Sequence, residues 1–71
     1  QRARGDATLL SPREAEVITL IAKGHSVPHI AKQLHLAPTT VRTHVQRLYE
    51  KLGVSDRGAA VAEAMRRRLV E

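Results

Sequence analysis

Apolar residues recur at helical spacing near the start of the chain. Val17, Ile18 and Ile21 lie on one side of a predicted helix, and charged residues occupy the other side. The motif S-P-R-E, which precedes them at residues 11–14, matches a capping box with a proline in the first turn. Because Gly24 favours the end of a helix, the pattern predicts a helix over residues 12–23.

Three later stretches repeat the helical pattern. A serine precedes residues 27–34, a proline opens residues 38–52 and a glycine follows them, and Ser55 or Asp56 can cap a helix over residues 56–68. The apolar residues of these helices are Val27, Ile30, Ala31 and Leu34, then Val41, Val45, Leu48 and Leu52, and then Ala60, Val61, Ala64 and Leu69. No stretch has the two-residue period of a strand.

The predicted elements indicate an all-α, four-helix (tetrahelical) domain over residues 8–71. Residues 1–7 carry charge and a glycine without periodicity, so we expect a flexible tail or the end of an interdomain linker there. The second and third helices are joined by a short turn, which is the arrangement of a helix-turn-helix unit.

The charge of the chain is unevenly distributed. Twelve Lys and Arg residues against seven Asp and Glu residues give a formal net charge of +5, and no carboxylate lies between Glu16 and Glu50, where all four histidines lie. A basic surface of this kind attracts polyanions. Tyr49 is the single aromatic residue among Phe, Trp and Tyr, so the chain lacks the stacking platforms that bind single-stranded nucleic acid. Double-stranded DNA is the polyanion that this composition favours.

Other protein classes fit the sequence poorly. No apolar run approaches the roughly 18 residues that span a bilayer, so we expect a soluble, cytoplasmic protein without a membrane partner. His25 and His29 are four residues apart but have no third ligand at matching spacing, so we expect no metal site and no cofactor. The histidine-containing segment has no carboxylate to orient a catalytic base, so we expect no enzymatic activity.

The outer face of the third helix carries groups that suit a DNA groove. Winding residues 38–52 at about 100° per residue buries the valines and leucines and turns a polar row outward. Arg42 can donate two hydrogen bonds to guanine, Gln46 can pair with adenine, and the Thr43 methyl group can contact a thymine methyl group. We therefore interpret Arg42, Thr43 and Gln46 as candidate base-reading residues.

Other polar residues of the same helix are better placed for the DNA backbone. Thr39, Thr40, Arg47 and Lys51 are candidate phosphate contacts, and the free N–H groups at the helix start would assist them. The two threonines are also compatible with a capping role alone. Ala37 at the predicted N-cap forgoes about 1 kcal/mol of capping energy, part of which Pro38 offsets.

Four motifs, S-P-R-E, I-A-x-x-L, T-V-R-x-H and K-L-G-V, occur in this order along the chain. With this spacing, the chain resembles the LuxR/NarL (GerE-like) helix-turn-helix DNA-binding domain from Leu10 to about Leu69. The resemblance implies a bacterial transcription regulator that binds specific duplex DNA sequences, with residues 38–52 as the recognition helix in the major groove. Such domains are often the output end of a response regulator of a two-component system, or of a ligand-sensing regulator, which implies an upstream regulatory domain.

The resemblance also implies roles for individual residues. In family members, the positions matching Arg42, Thr43 and Gln46 commonly enter the major groove. The position of Gln46 is Lys in some relatives, so a relative's target sequence does not transfer to this chain. At the position of His44, the resemblance implies a packing role or a phosphate contact, and a plain structural histidine is equally compatible.

The resemblance further implies that the domain forms a two-fold homodimer through its last helix. Such a dimer would place two recognition helices about one DNA turn apart, roughly 34 Å. The small side chains of the last helix permit close helix approach, although the same surface is also typical of a solvent-facing helix. The candidate interface residues are Ala59, Ala62, Glu63 and Arg66.

A protein-interaction module is the alternative function. Its basic helix would dock on an acidic partner, such as a subunit of RNA polymerase or an autoinhibiting upstream domain. Salt separates the two functions, because DNA affinity should fall linearly on a log–log plot with a slope near −0.9 per neutralised phosphate.

Overall fold

Four helices form the computed structural model of the protein, which describes residues 10–70. They are α1 (Pro12–Ala22), α2 (Val27–Leu34), α3 (Pro38–Leu52) and α4 (Arg57–Arg66). Residues 10–70 contain no strand, so the predicted all-α, four-helix fold is confirmed. The predicted tail at residues 1–7 lies outside the described residues.

Most helices begin at the capping residues that the sequence indicated. Ser11 Oγ accepts a hydrogen bond from Glu14 N at 3.1 Å, and Glu14 Oε1 accepts one from Ser11 N at 2.9 Å, which completes the predicted capping box. Ser26 and Asp56 each accept a hydrogen bond from the backbone N–H three residues further on. Asp56, rather than Ser55, is therefore the N-cap residue of α4.

Two helices are slightly shorter than the approximate bounds predicted from the sequence. Helix α1 ends at Ala22 rather than at residue 23, and α4 covers Arg57–Arg66 rather than residues 56–68. The chain leaves α4 because Arg68 adopts the left-handed conformation (φ 60°) and Leu69 N donates to Ala64 O at 2.8 Å, which closes the helix end. Leu69, which we predicted on the apolar face of this helix, lies beyond it and is 41% exposed.

Helix α3 packs on α1, α2 and α4. Its residues Val41, Leu48 and Leu52 are buried, as the periodicity predicted, whereas Val45 is only half-buried at the edge of the core. The rest of the buried apolar core comes from the neighbouring helices: Val17, Ile18, Ile21, Ile30, Ala31, Ala60 and Ala64. Burial of a valine, leucine or isoleucine side chain contributes about 1.5–3 kcal/mol, so this core determines which face of α3 remains in solvent.

None of the helices within residues 10–70 combines the length and the apolar character that crossing a membrane requires.

Candidate nucleic-acid interface

Three residues, 35–37, connect α2 to α3. Helix α2 ends at Leu34, and its C-cap residue His35 adopts the left-handed conformation with φ 60° and ψ 44°. Leu36 N then donates to Ala31 O at 2.8 Å, and Ala37 begins α3 as its N-cap residue. This short connection is typical of a helix-turn-helix unit, whose second helix is the one that lies in the major groove of DNA.

The solvent-facing side of α3 is polar along its length. The core residues lie on the opposite side, so the outward row predicted from the helical period is confirmed as exposed. The candidate base-reading residues Arg42, Thr43 and Gln46 all belong to this exposed side. The other exposed residues of α3 are Pro38, Thr39, Thr40, Arg47 and Glu50. The arrangement presents guanidinium, amide and methyl groups together on one convex surface.

The hydroxyl group of Thr43 has a partner inside the helix. Thr43 Oγ1 donates a hydrogen bond to Thr39 O at 3.1 Å. Because this bond uses the hydroxyl proton within the helix, the methyl group and the acceptor lone pairs of Oγ1 are the parts of Thr43 left for contact with another molecule.

The N-terminus of α3 lacks the side-chain cap that the other three helices have. Ala37 has φ −70° and ψ 146°, the extended conformation of an N-cap residue, but its methyl side chain accepts no hydrogen bond. The first N–H groups of a helix carry partial positive charge, which attracts anions. The exposed Thr39 and Thr40 lie in this first turn, so hydroxyl and backbone donors occur together there.

Lys51 differs from the other predicted phosphate contacts. Its Nζ donates to Glu14 Oε1 at 2.7 Å, and Glu14 is only 3% exposed. Burial opposes ionisation of Glu14, but the hydrogen bonds from Lys51 and Ser11 outweigh it and lower the pKa of this carboxyl group below its ordinary value. The Lys51 amine therefore has a carboxylate partner within the fold, which weakens the case for a phosphate contact.

His44 is also less available than an exposed residue would be. It is half-buried, and its Nδ1 is buried without a hydrogen-bond partner among the described residues. A phosphate contact of His44 therefore stays a prediction, and only Nε2 of its ring could make that contact.

Two residues that organise the site were missed from the sequence. Glu14 was interpreted only as part of a capping box, although its spacing to Val17 and Ile18 places it on the buried face of α1. Arg57 Nη2 donates to Ile21 O at 2.9 Å and to His25 O at 2.7 Å, so it ties α4 to the turn before α2. No local pattern signals the Arg57 contacts, because the partners lie 36 and 32 residues away.

The residues predicted to form a dimer interface lie on α4 with different exposures. Ala62 and Arg66 are exposed, whereas Ala59 and Glu63 are half-buried. The Glu63 carboxylate binds Arg66 and also Arg67 Nε, the latter at 2.6 Å. The hydrogen bonds from these two guanidinium groups lower the pKa of Glu63 to about 2. The negative charge of Glu63 is thus compensated by Arg66 and by the C-cap residue Arg67. The neighbouring Met65 is 51% exposed.

His25 and His29 stack on each other, with ring centroids 4.6 Å apart and an interplanar angle of 9°. Parallel rings do not direct their nitrogens at one shared ion. Residues 10–70 contain no group of three His, Cys, Asp or Glu side chains that could hold a metal ion.

Known proteins resemble this chain in both sequence and structure. The chain is 66% identical over 71 residues to the probable transcriptional regulatory protein NarL of Mycobacterium tuberculosis (strain ATCC 25618 / H37Rv), and it spans 33% of that protein. Its structure is similar to that of the response regulator ChrA from a heme-sensing two-component system, with a TM-score of 0.86 and 38% identity over 97% of this chain and 34% of ChrA. It is also similar to the transcription factor GerE, with a TM-score of 0.82 and 35% identity over 87% of this chain and 92% of GerE.

The chain therefore spans about a third of NarL and of ChrA but most of GerE. The family of bacterial regulatory proteins named luxR matches residues 8–64. Together with the four-helix fold and its exposed α3, this match confirms the resemblance found in the sequence. The chain belongs to the luxR family of bacterial regulatory proteins and is a helix-turn-helix DNA-binding domain of that family.

Proposed function

We propose that this domain is the output domain of a response regulator and that it binds a specific duplex DNA sequence as a homodimer to control transcription. The observation that carries the proposal is the exposed polar side of α3, which lies opposite a buried apolar ridge and has no carboxylate before Glu50. The identity to NarL and the likeness to the response regulator ChrA favour control by an upstream regulatory domain. We assign the domain no catalytic role, because its family is one of regulatory proteins.

Three side chains of α3 would read base edges in the major groove. Arg42 would donate to guanine, Gln46 would pair with adenine, and the Thr43 methyl group would contact thymine. The intrahelical hydrogen bond of Thr43 uses its hydroxyl proton, so the methyl contact does not compete with a donated hydrogen bond at that position.

The DNA backbone would be held by donors around this surface. Thr39, Thr40 and Arg47 are exposed, and the uncapped N-terminus of α3 adds backbone N–H groups. We leave Lys51 and His44 out of this set, because the Lys51 amine binds Glu14 and the His44 ring is half-buried.

Selection of bound duplexes from a randomised DNA pool tests the proposal directly. An enriched sequence is expected, and its affinity should fall with salt at a slope near −0.9 per phosphate contact. Arg42→Ala should weaken the enriched duplex by about 1–3 kcal/mol and relax its sequence preference, whereas Arg47→Ala should weaken enriched and random duplexes about equally. No complex with any duplex at low salt would instead favour docking on an acidic protein, such as a subunit of RNA polymerase.

Dimerisation through α4 requires its own test. The substitution Ala62→Glu places a charge in the candidate interface formed with Ala59, Glu63 and Arg66, and Ala15→Glu places the same charge on an exposed position of α1. On a duplex with two half-sites about 10 base pairs apart, the Ala62 variant should lose cooperative binding and the Ala15 variant should keep it. Equal cooperativity in both variants would place the interface elsewhere.

A further inference from the structure

A part-buried ion pair joins the first turn of α1 to the last turn of α3. The Lys51 side chain is 28% exposed, whereas the Glu14 side chain, which it binds at 2.7 Å, is 4% exposed. The same oxygen of Glu14 accepts a hydrogen bond from Ser11 N at 2.9 Å. The capping box therefore holds the carboxylate in place, and the carboxylate in turn holds an amine on the recognition helix.

An ion pair of this kind contributes little to the free energy of unfolding but can specify the relative orientation of the two helices that it joins. Removing two charges from water offsets much of their attraction, so buried ion pairs are weak sources of stability but can specify one arrangement of a fold. Apolar side chains such as Val41 and Leu48 also join α3 to its neighbours, and their attraction has no preferred direction. A charge-assisted hydrogen bond has defined geometry, so it can resist sliding and rotation that apolar packing tolerates.

We propose that Glu14 and Lys51 are positioning residues that set the angle and axial position of α3 on α1, and that discrimination between DNA sequences depends on this setting. The proposal rests on the proposed function, because Arg42, Thr43 and Gln46 would read bases from α3. Hydrogen bonds to bases weaken steeply when the donor is displaced or misaligned. Phosphate attraction acts over several ångströms and tolerates such displacement. Loss of the pair should therefore reduce specific binding much more than non-specific binding.

Two variants remove the ion pair while keeping the rest of each side chain. Glu14→Gln leaves a side-chain oxygen to accept the Ser11 N–H, because glutamine also completes a capping box. Lys51→Met keeps an apolar chain of similar length. Glu16→Gln is the matched control, because Glu16 is on the same helix but its side chain is 54% exposed and pairs with Arg13 on the surface.

The first measurement uses the free 71-residue chain. Residual dipolar couplings and interhelical NOEs of the labelled protein report the arrangement of α3 relative to α1. We expect those of Glu14→Gln and Lys51→Met to depart from the wild-type arrangement, and those of Glu16→Gln to match it. Couplings and NOEs that fit the wild-type arrangement in both pair variants would overturn the proposal, whether or not the chain discriminates between duplexes.

The second measurement compares two DNA probes, namely a duplex enriched by the wild-type chain and a random-sequence duplex. Loss of the pair should weaken the enriched duplex by about tenfold or more, the loss expected for one misplaced base contact, and should change the random duplex by less than about twofold. Lys51→Arg, which keeps the charge, should recover part of the lost discrimination.

The opposite pattern identifies a phosphate contact. If Lys51→Met weakens both duplexes equally and lowers the salt slope by about one, while Glu14→Gln binds as well as or better than the wild-type chain, Lys51 acts on DNA directly and the positioning role is wrong. Failure of the wild-type chain to enrich any sequence would overturn the proposed function instead, and the couplings would still decide the positioning role.

Discussion

The missing cap of α3 leads to a prediction about stability. The substitution is Ala37→Ser, at the N-cap of the helix that would read DNA. Ala37 has φ −70° and ψ 146°. The serine caps of α1 and α2 have φ −67° and −78° with ψ 162° and 163°. A serine at position 37 can therefore adopt a cap conformation close to the one that two other helices of this chain already use.

The magnitude follows from one hydrogen bond. In α1, α2 and α4, the capping oxygen accepts from the N–H three residues after the cap, and the equivalent donor in α3 is Thr40 N. A serine cap in place of alanine stabilises a protein by about 1 kcal/mol. For a domain of this size, such a gain raises the thermal midpoint by about 4–8 °C. Because Ala37 is exposed, the added hydroxyl group stays in solvent and pays no desolvation penalty.

Thermal unfolding followed by circular dichroism measures the effect. Ser26→Ala is the reverse control, because it removes a cap that the structure shows and should lower the midpoint by a similar amount. Ala62→Ser places a serine at an exposed position inside α4, where its poorer helix propensity should lower the midpoint slightly. If Ala37→Ser leaves the midpoint unchanged or lowers it while Ser26→Ala destabilises the protein, the reasoning about the α3 cap is refuted.

Three further predictions concern other contacts. His35→Gly should raise the urea midpoint, with a gain of up to about 1 kcal/mol, because the exposed His35 holds a left-handed conformation that glycine adopts freely; a lower midpoint would contradict this. Arg57→Met should lower the free energy of unfolding by about 1–3 kcal/mol, because the carbonyl groups of His25 and Ile21 each lose a charged donor, although Gly24 N still donates to Ile21 O; an unchanged urea curve would contradict this. The pKa of Glu14 is lower in the fold than its ordinary value of 4.5, so its contribution to stability is present above that pH and is lost as the pH falls through the folded-state pKa. Glu14→Gln should therefore lose part of the acid dependence of unfolding, and curves of midpoint against pH that run parallel for the variant and the wild type would contradict this.

The helices could be predicted from the sequence because their signals are local. The capping box at Ser11, the cap at Asp56 and the left-handed Gly53 at the end of α3 act through hydrogen bonds between residues a few positions apart. Apolar residues at a period of 3.6 determine which face of each helix is buried. The end of α4 was missed because a left-handed arginine, rather than a glycine, stops the helix there.

The outward face of α3 was also accessible from the sequence. Arg42, Thr43 and Gln46 are exposed for the same reason that Val41 and Leu48 are buried, namely that the helical period separates the two sets. The near-absence of aromatic residues then favoured duplex DNA over single-stranded nucleic acid, and the order of the family motifs implied a DNA-binding domain.

The partners of charged residues were decided by the tertiary structure alone. Lys51 is spaced along α3 like an outer phosphate contact, yet packing of α1 against α3 brings its amine to Glu14, 37 residues away in sequence. Arg57 meets the end of α1 in the same way. An amphipathic pattern tells which side of a helix faces the core, but the position along a neighbouring helix where a long side chain finds its partner depends on how the helices are packed in three dimensions. For this chain, local periodicity and capping determined the elements and the exposed face, and helix packing determined which cations the fold itself binds.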